Sequence, residues 1–268
     1  MLDEEPDVEL IVVVSKPPAA EVEAQLREVA AQLSTPVQFA LLGPGQPDLT
    51  AAARAAAEAL GEDWTAPRWW LAPQERRGDY RVLRGAFSGG TLCDEAMVLA
   101  AGELGPVASN IPLQGAPRVG PDEVRDGHAM IDFGDDDLTR GRPHPMIDGS
   151  LRAAWIDLQA QQAAADGTGL VLLLDVVLGH GAHPDPAAEL GPVLRAAHET
   201  VQASAVGSGS GADLAVVISL CGSTGDPQGL ERQAEALRSA GASVHLSNAH
   251  AARKALELLA DDVRGAHR

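Results

Sequence analysis

The chain has 268 residues, a length that fits one large domain or two ordinary ones. Its 38 acidic residues outnumber its 20 basic ones, and the formal net charge of −18 argues against nucleic acid as a partner, because nucleic-acid affinity depends on basic side chains that neutralise phosphates. Two cysteines without a CxxC pair predict neither a disulfide framework nor a structural zinc site.

No apolar run approaches the roughly 18 residues that a transmembrane helix needs, and the N-terminal residues MLDEEPDVE are acidic where a signal peptide would be basic. The sequence therefore predicts a cytoplasmic protein without a membrane partner. Hydrophobic residues make up 45% of the chain and aromatic residues only 3%, so the core is expected to consist of Val, Leu, Ile and Ala. This composition is typical of a buried parallel sheet covered by Ala-rich helices.

The first predicted elements are two strands that alternate with two helices. Residues 9–14 (ELIVVV) and 37–45 (VQFALLGPG) are apolar runs that predict strands. Residues 19–33 carry apolar side chains every three or four positions, and residues 49–60 are rich in alanine, so both segments predict helices. We interpret residues 1–62 as an incomplete first module, because two strands are too few to close a core.

Residues 63–80 interrupt this pattern. They contain three of the four tryptophans and two prolines, without any period. We interpret them as a linker between two units, with the alternative that the tryptophans form a hydrophobic clamp between domains.

The alternation resumes at Tyr80 and continues along the chain. Residues 80–104 predict a strand, a glycine-rich turn and a helix, and residues 169–179 (GLVLLLDVVLG) and 212–220 (ADLAVVISL) predict further buried strands. Strands that alternate with helices predict an α/β fold, with a mostly parallel sheet and right-handed crossovers. We assign residues 81–262 to one complete module of this kind.

Ligands of an open parallel sheet bind beyond the carboxyl ends of its strands, so the loops that leave those ends are the candidate site. The first such loop contains Ser88, Gly89, Gly90 and Thr91. Small residues let the backbone approach a ligand, and the free amides of a helix start bind phosphate or carboxylate. The alternative is an ordinary helix cap formed by Ser88 or Thr91.

The second loop, GDDDLTRGRPHPMID over residues 134–148, begins with acidic residues. Together with Asp132, the aspartates 135–137 are typical ligands of Mg²⁺, and a solvated acidic turn is the alternative.

The same loop continues with basic residues. Arg140 and Arg142, separated by Gly141, are candidates to bind an anionic substrate or to pair with the aspartates. His144 stands between two prolines that fix the backbone, as suits a binding loop.

The third loop contains Asp175, His180 and His183. Histidine suits proton transfer and phosphoryl capture near neutral pH, while a metal site and a purely structural role are the alternatives. Elsewhere, Lys16 ends the first strand, either as an anion contact or as a plain loop residue.

The fourth loop follows residue 220 and contains Cys221, Gly222, Ser223 and Thr224. Its small residues precede a helix and are a second candidate for anion binding. Cys221 is either a nucleophile or a buried thiol.

Four motifs occur in this order along the chain: SGGTLCDEA, IDFGDDDLTRGRPHPMID, LLLDVVLGHGAHPDPA and CGSTGDPQ. In sequence and spacing they resemble the FdrA family of the succinyl-CoA synthetase (NDP-forming acyl-CoA ligase) superfamily. The resemblance implies flavodoxin-like parallel-sheet modules of the ligase type, the first of them incomplete, and a phosphate-binding helix start at SGGT. It also implies acyl or carbamoyl transfer, as in the oxamate carbamoyltransferase component of purine (allantoin) breakdown.

Compared with that family, the chain is expected to lack the N-terminal CoA-binding domain and the front half of the first module. The histidine that the superfamily phosphorylates is expected near Leu220, where this sequence has SLCGSTG. The first difference argues against independent ligation of coenzyme A, and the second argues against a phosphohistidine mechanism. No firm cofactor and no protein-bound metal are predicted, and Mg²⁺ would act only with a phosphate-bearing substrate.

The sequence thus leads to one main hypothesis. A small anionic substrate binds the glycine-rich loops and the two arginines, while His144 or His183 exchanges protons and Asp175 is a further catalytic candidate. The alternatives are a catalytically incomplete module that binds an anion or a partner subunit, and a succinyl-CoA-synthetase-like ligase. The incomplete first module also predicts a homodimer, or a hetero-oligomer whose partner completes it.

Overall fold

The structure is a computed structural model that describes residues 2–73, 78–208 and 212–265. The chain divides into two compact units, Met1–Ala66 and Pro67–Arg268. No helix in the described part of the chain combines the length and the apolar character that crossing a membrane requires.

The first unit begins with a 3₁₀ turn at Leu2–Glu4 and contains, in chain order, β1 (Ile11–Ser15), α1 (Ala20–Ala30), β2 (Val37–Leu41) and α2 (Leu49–Ala59). This is the predicted order of strand, helix, strand and helix. The two strands pair in parallel. Helix α2 begins after Asp48, whose carboxylate accepts the N–H of Ala51 at 2.8 Å and so satisfies one of the free amides of the first turn.

One face of β1 is open in this unit. Side chains along the strand alternate between half-buried and exposed, and Val12 and Val14 are 44% and 56% exposed. The exposed valines form an apolar surface that the described residues leave uncovered.

The second unit contains the remaining strands and helices. Its strands are β3 (Trp69–Trp70), β4 (Tyr80–Phe87), β5 (Ala129–Asp132), β6 (Gly169–Val177), β7 (Leu214–Cys221) and β8 (Ala242–His245). Its helices are α3 (Gly90–Leu104), α4 (Asp136–Thr139), α5 (Ser150–Asp166), α6 (Pro186–Ser208), α7 (Leu230–Ser239), α8 (Asn248–Leu258) and α9 (Asp261–Gly265), with a 3₁₀ turn at Pro121–Glu123.

The sheet of the second unit has the strand order β3-β8-β7-β6-β4-β5. All neighbours are parallel except β3, which runs antiparallel to β8. Counted along the chain, the parallel strands have the order 2-1-3-4-5, which is the flavodoxin arrangement. The predicted α/β fold with a mostly parallel sheet is confirmed. The strand order reverses between β4 and β6, so their carboxyl ends are the place where this fold binds ligands.

Both faces of this sheet are buried. Helices α5, α6 and α7 cover one face, where the rings of Phe133 and Trp155 meet edge to face with centroids 5.7 Å apart. Helices α3 and α8 cover the other face. Neighbouring residues of β6 enter opposite cores, as Leu172 and Leu173 do, and this explains why the strand is a continuous apolar run up to Asp175.

The structure differs from the sequence-based interpretation within residues 63–80. Trp69 and Trp70 form β3 and pair with His245 and Val244 of β8, although we interpreted this stretch as a linker. A strand of two residues is too short to show any periodicity, so sequence patterns could not reveal it.

Candidate functional site

The carboxyl ends of β4 and β6 are joined by a buried carboxylate. Asp175 is fully buried, and it accepts hydrogen bonds from the Ser88 amide (2.7 Å), the Ser88 hydroxyl (2.8 Å) and the Gly89 amide (2.9 Å). Arg152 of α5 donates to the carboxylate at 2.8 Å and to the Asp175 carbonyl at 2.7 Å. The negative charge of Asp175 is therefore matched by a buried guanidinium and fixed by several donors.

This arrangement changes the expected role of the SGGT segment. The amides of Ser88 and Gly89, which were candidates to bind a phosphate, already donate to Asp175. Gly90 and Thr91 lie in the first turn of α3, where amides have no acceptor within the helix. An anion at this helix start would bind next to the charge of Asp175.

Two His–Pro turns of the same construction flank this position. In His144–Pro145–Met146, the imidazole Nδ1 accepts the Met146 amide at 3.3 Å, and in His183–Pro184–Asp185 it accepts the Asp185 amide at 3.0 Å. Proline has no N–H, so the amide after it is the first donor within reach of the ring. Because Nδ1 accepts, the proton of each neutral ring is carried by Nε2.

The two turns are in direct contact. The His183 amide donates to the Met146 carbonyl at 2.7 Å. Both Nε2 of His144 and the Ser88 carbonyl oxygen come within 3.0 Å of the point where a Cβ on Gly134 would stand, at 2.7 and 2.5 Å. His144 is therefore beside the entrance to α3, and residue 134 must be glycine for the loop to pack there.

A cavity of about 20 Å³ lies between the turns and the helix start. Its lining combines the polar or charged residues Ser88, Arg152, His183 and Glu189 with apolar ones, among them Pro145, Met146, Val176 and Leu190, and the His144 side chain is not part of it. Glu189 also accepts the Gly149 amide at 3.1 Å. The volume is that of a single water molecule, so a substrate would require the loops to separate.

The predicted arginines lie outside this cavity. Arg140 is 80% exposed on its side chain and forms a surface ion pair with Asp137 at 3.0 Å, while Gly141 forms the turn with a φ of +77°. Arg142 lines a neighbouring cavity of about 70 Å³, together with Asp148 and with Pro145, which is common to both cavities.

The aspartates of the same loop have local roles. Asp132 accepts the Gly134 amide at 2.9 Å, and Asp135 caps α4 by accepting the Asp137 amide at 3.0 Å. Among the described residues, no three His, Cys, Asp or Glu side chains come together as a metal site would require. The interpretation with Mg²⁺ and a phosphate-bearing substrate stays a prediction.

The fourth loop forms a compact turn of its own. The Ser223 amide donates to Asp226 at 2.6 Å, and Gly222 lies against Leu178, which a Cβ on that glycine would meet at 2.9 Å. Thr224 is exposed. Gln228 ties this loop to the third loop through two hydrogen bonds with Gly179, of 3.1 and 2.8 Å. These glycine, serine and threonine residues do not line the histidine cavity.

Cys221 ends β7 as an exposed residue, which corrects the interpretation as a buried thiol. Partial burial against the end of the sheet, with the nearby carboxylates of Asp175 and Asp226, raises the pKa of its thiol. A raised pKa keeps the thiol protonated at neutral pH and so disfavours a nucleophilic role. His180 is exposed in the third loop, and Lys16 is exposed at the end of β1.

Arg152 and Glu189 are site residues that sequence reasoning missed. Both lie on helices, α5 and α6, where charged residues usually face solvent. One signal was present in the sequence: Asp175 interrupts the apolar run of β6, and a carboxylate within a buried strand requires a partner.

The CoA-ligase family model matches residues 86–258, from the end of β4 to the end of α8. The chain belongs to the CoA-ligase family. The parallel strands of the second unit are the framework of this CoA-ligase domain, which is related to succinyl-CoA synthetase.

The chain is also similar to the uncharacterized protein YahF of Escherichia coli (strain K12). The two sequences are 32% identical over 266 residues, which cover 90% of this chain and 48% of YahF. The chain thus spans about half the length of this curated relative. The finer assignment to the FdrA family stays a prediction.

Proposed function

We propose that this CoA-ligase-family chain is a group-transfer subunit that acts on a phosphate-activated acyl or carbamoyl compound. The observation that carries the proposal is the pair of His–Pro turns at the strand-order reversal. Each turn fixes the proton of its neutral imidazole on Nε2, and the two turns contact each other beside the start of α3.

The chemistry that suits this arrangement is displacement of phosphate. An acceptor forms a bond to the acyl or carbamoyl carbon, and the bond from that carbon to the phosphate oxygen breaks, so that phosphate leaves with the electron pair. The acceptor's proton passes to the phosphate. The Nε2–H groups of His144 and His183 would donate hydrogen bonds to the leaving phosphate, and Asp175 with Arg152 would hold the helix start in position.

The nature of the substrate is supported by the resemblance to the FdrA family. It favours carbamoyl phosphate as the donor and oxamate as the acceptor, as in purine (allantoin) breakdown. Mg²⁺ would accompany the phosphate-bearing donor. Arg142 would neutralise part of its charge, and its cavity shares Pro145 with the cavity that His183 lines.

The test is a calorimetric titration with carbamoyl phosphate, followed by measurement of phosphate release when oxamate is added. His183→Asn keeps an acceptor near the position of Nδ1 and removes Nε2. We expect it to weaken binding at least about tenfold, because a hydrogen bond to a charged group is lost, and to slow phosphate release by about 10² or more.

The matched control is His180→Asn, the same substitution at an exposed position of the same loop. It is expected to leave binding and release unchanged. Equal effects of the two substitutions, or a chain that does not bind carbamoyl phosphate at all, would contradict the proposal.

A second candidate function is a binding module without turnover, for a small anion or a partner subunit. The occupation of the Ser88 and Gly89 amides by Asp175 favours it, because part of the expected phosphate site is already satisfied from within the chain. Binding of carbamoyl phosphate without phosphate release would support this second function. Release that depends on coenzyme A and ATP together would instead indicate an acyl-CoA ligase.

A further inference from the structure

A separate polar cavity lies at the amino ends of the strands of the same sheet. We infer that this cavity binds a small carboxylate anion beside Arg84. The cavity measures about 120 Å³ and lies among the start of β4, the loop before β5 and the last turns of α5. The histidines lie at the carboxyl ends of the strands, whereas this cavity lies at the amino ends. The inference is therefore independent of the proposed group transfer.

Arg84 is only 3% exposed, yet within the described part of the chain no acidic side chain forms an ion pair with it. Its guanidinium donates to the Gln159 side chain at 2.7 Å and to the carbonyls of Arg125 (2.9 Å), Leu83 (3.5 Å) and Gly127. Carbonyl dipoles solvate the charge but do not neutralise it. Among the ion pairs of the described residues, none joins Arg84 to an acidic side chain within 4.0 Å.

Another buried arginine, Arg152, has the carboxylate partner that Arg84 lacks among the described residues. Arg152, at 7% exposure, has the Asp175 carboxylate 2.8 Å away. An isolated charge is costly to bury without a partner of opposite sign. For Arg84 that cost is visible as a pKa lowered to about 10 by burial, which the charge of Asp126 only partly opposes. A carboxylate in the adjoining cavity would supply the missing charge.

One atom in each of two side-chain amides beside Arg84 also lacks a hydrogen-bond partner. The Nε2 of Gln159, a residue 2% exposed, and the Oε1 of Gln162 are both buried without one, and both residues line the cavity. The Gln159 amide and the remaining guanidinium N–H are two donors for one carboxylate. A half-turn of the terminal amide of Gln162 would add its Nε2 as a third donor.

The rim of the cavity restricts the ligand. Asp126 and Asp166 are exposed at the opening and repel anions, and Arg125 beside them offsets part of this charge. The space and the charge balance therefore favour a small, singly charged carboxylate such as formate or acetate over phosphate. Binding is expected to be weak and to stabilise the fold, because the ligand would connect β4, α5 and the loop between residues 125 and 127.

The experiment is thermal unfolding and calorimetry of the full chain with sodium formate and sodium acetate, with sodium chloride at equal ionic strength as the reference. We expect a saturable binding isotherm by calorimetry, a Tm that rises with the logarithm of the formate concentration and by about 5 °C at 100 times Kd, and a smaller response to phosphate. A response no larger than that to chloride, or a response to phosphate equal to that to formate, would overturn the inference.

Two substitutions act in opposite directions. Arg84→Met removes the charge and is expected to abolish the response to formate. Gln159→Glu places a carboxylate next to the guanidinium within the chain, so it should raise Tm without formate and also abolish the response. Because Gln159→Glu is expected to stabilise the protein, the test does not depend on whether Arg84→Met folds.

The matched control is Arg81→Met on the same strand, whose side chain pairs with Asp262 at 2.7 Å on the surface. It should retain the full response to formate. A response that survives in Arg84→Met or Gln159→Glu would show that the carboxylate binds elsewhere.

Discussion

At the scale of single residues, Asp175 organises the candidate site. Its carboxylate connects the end of β4, the first amides before α3 and the guanidinium of Arg152. Breaking a buried ion pair from one side leaves an uncompensated charge, which costs much more than the pair contributes in net stability. The site thus depends on one ion pair between a strand and a helix.

Asp175→Asn is expected to lower the free energy of unfolding by about 3–5 kcal/mol, because the charge of Arg152 would remain buried without a partner. Urea denaturation measures the loss. The double variant Asp175→Asn with Arg152→Gln should recover part of it, since neither charge is then buried. A loss below about 1 kcal/mol for Asp175→Asn would show that water reaches Arg152 and replaces its partner.

At the scale of secondary structure elements, the loops of the site are held by neighbouring helices. The loop that carries His183 is tied to α7, because the Asp185 carboxylate accepts hydrogen bonds from Gln233 at 2.9 Å and from Arg232 at 2.7 Å. These hydrogen bonds, that of Gln233 first, lower the pKa of Asp185. Such a carboxyl stabilises the fold above its unfolded pKa, and this stabilisation is lost as the pH falls through its folded value.

The contribution of Asp185 to the free energy of unfolding is therefore expected to decrease as the pH falls. Above about pH 4 the unaltered chain should be more stable than Asp185→Asn, and this difference should shrink as the pH falls further. Urea denaturation at a series of pH values measures it. A difference that stays constant across the series would mean that the Asp185 carboxylate does not titrate with folding.

The parallel strands of the second unit were predictable because they are apolar runs bounded by turn residues, as residues 169–177 are, whereas the two-residue β3 was not. The site was only partly predictable. The loops could be named from their position after strands, but the partner of Ser88 depends on which strands are neighbours. That order is set by tertiary packing, so the occupation of the helix start by Asp175, 87 positions away, had no local signal.

At the scale of the whole molecule, the first unit is notable for an apolar face and a strand edge that stay open. Among the described residues, β1 pairs with β2 alone, and its exposed Val12 and Val14 extend an apolar surface next to an open strand edge. Open edges and apolar patches are the features through which chains associate. The sequence predicts a homodimer or a hetero-oligomer, and this stays a prediction.

The chain by itself is expected to associate through this face. Light scattering should give a mass above that of a monomer, and Val12→Lys with Val14→Lys should reduce it, because buried lysines oppose close contact. Leu60→Lys, at a residue that is also 44% exposed but lies after α2, is the control and should not change the mass. A monomer for the unaltered chain would contradict the expectation.

Strand β4 runs from one cavity of the second unit toward the other. Arg84 on β4 lines the cavity at the amino ends of the strands, and Ser88, the residue after β4, lines the one at the carboxyl ends. Four positions of extended chain separate them by about 13 Å. Two small molecules would approach from opposite poles of the unit and would not compete for space. Both cavities could therefore be occupied at the same time. A rigid strand between them could also transmit the effect of binding at one cavity to the other.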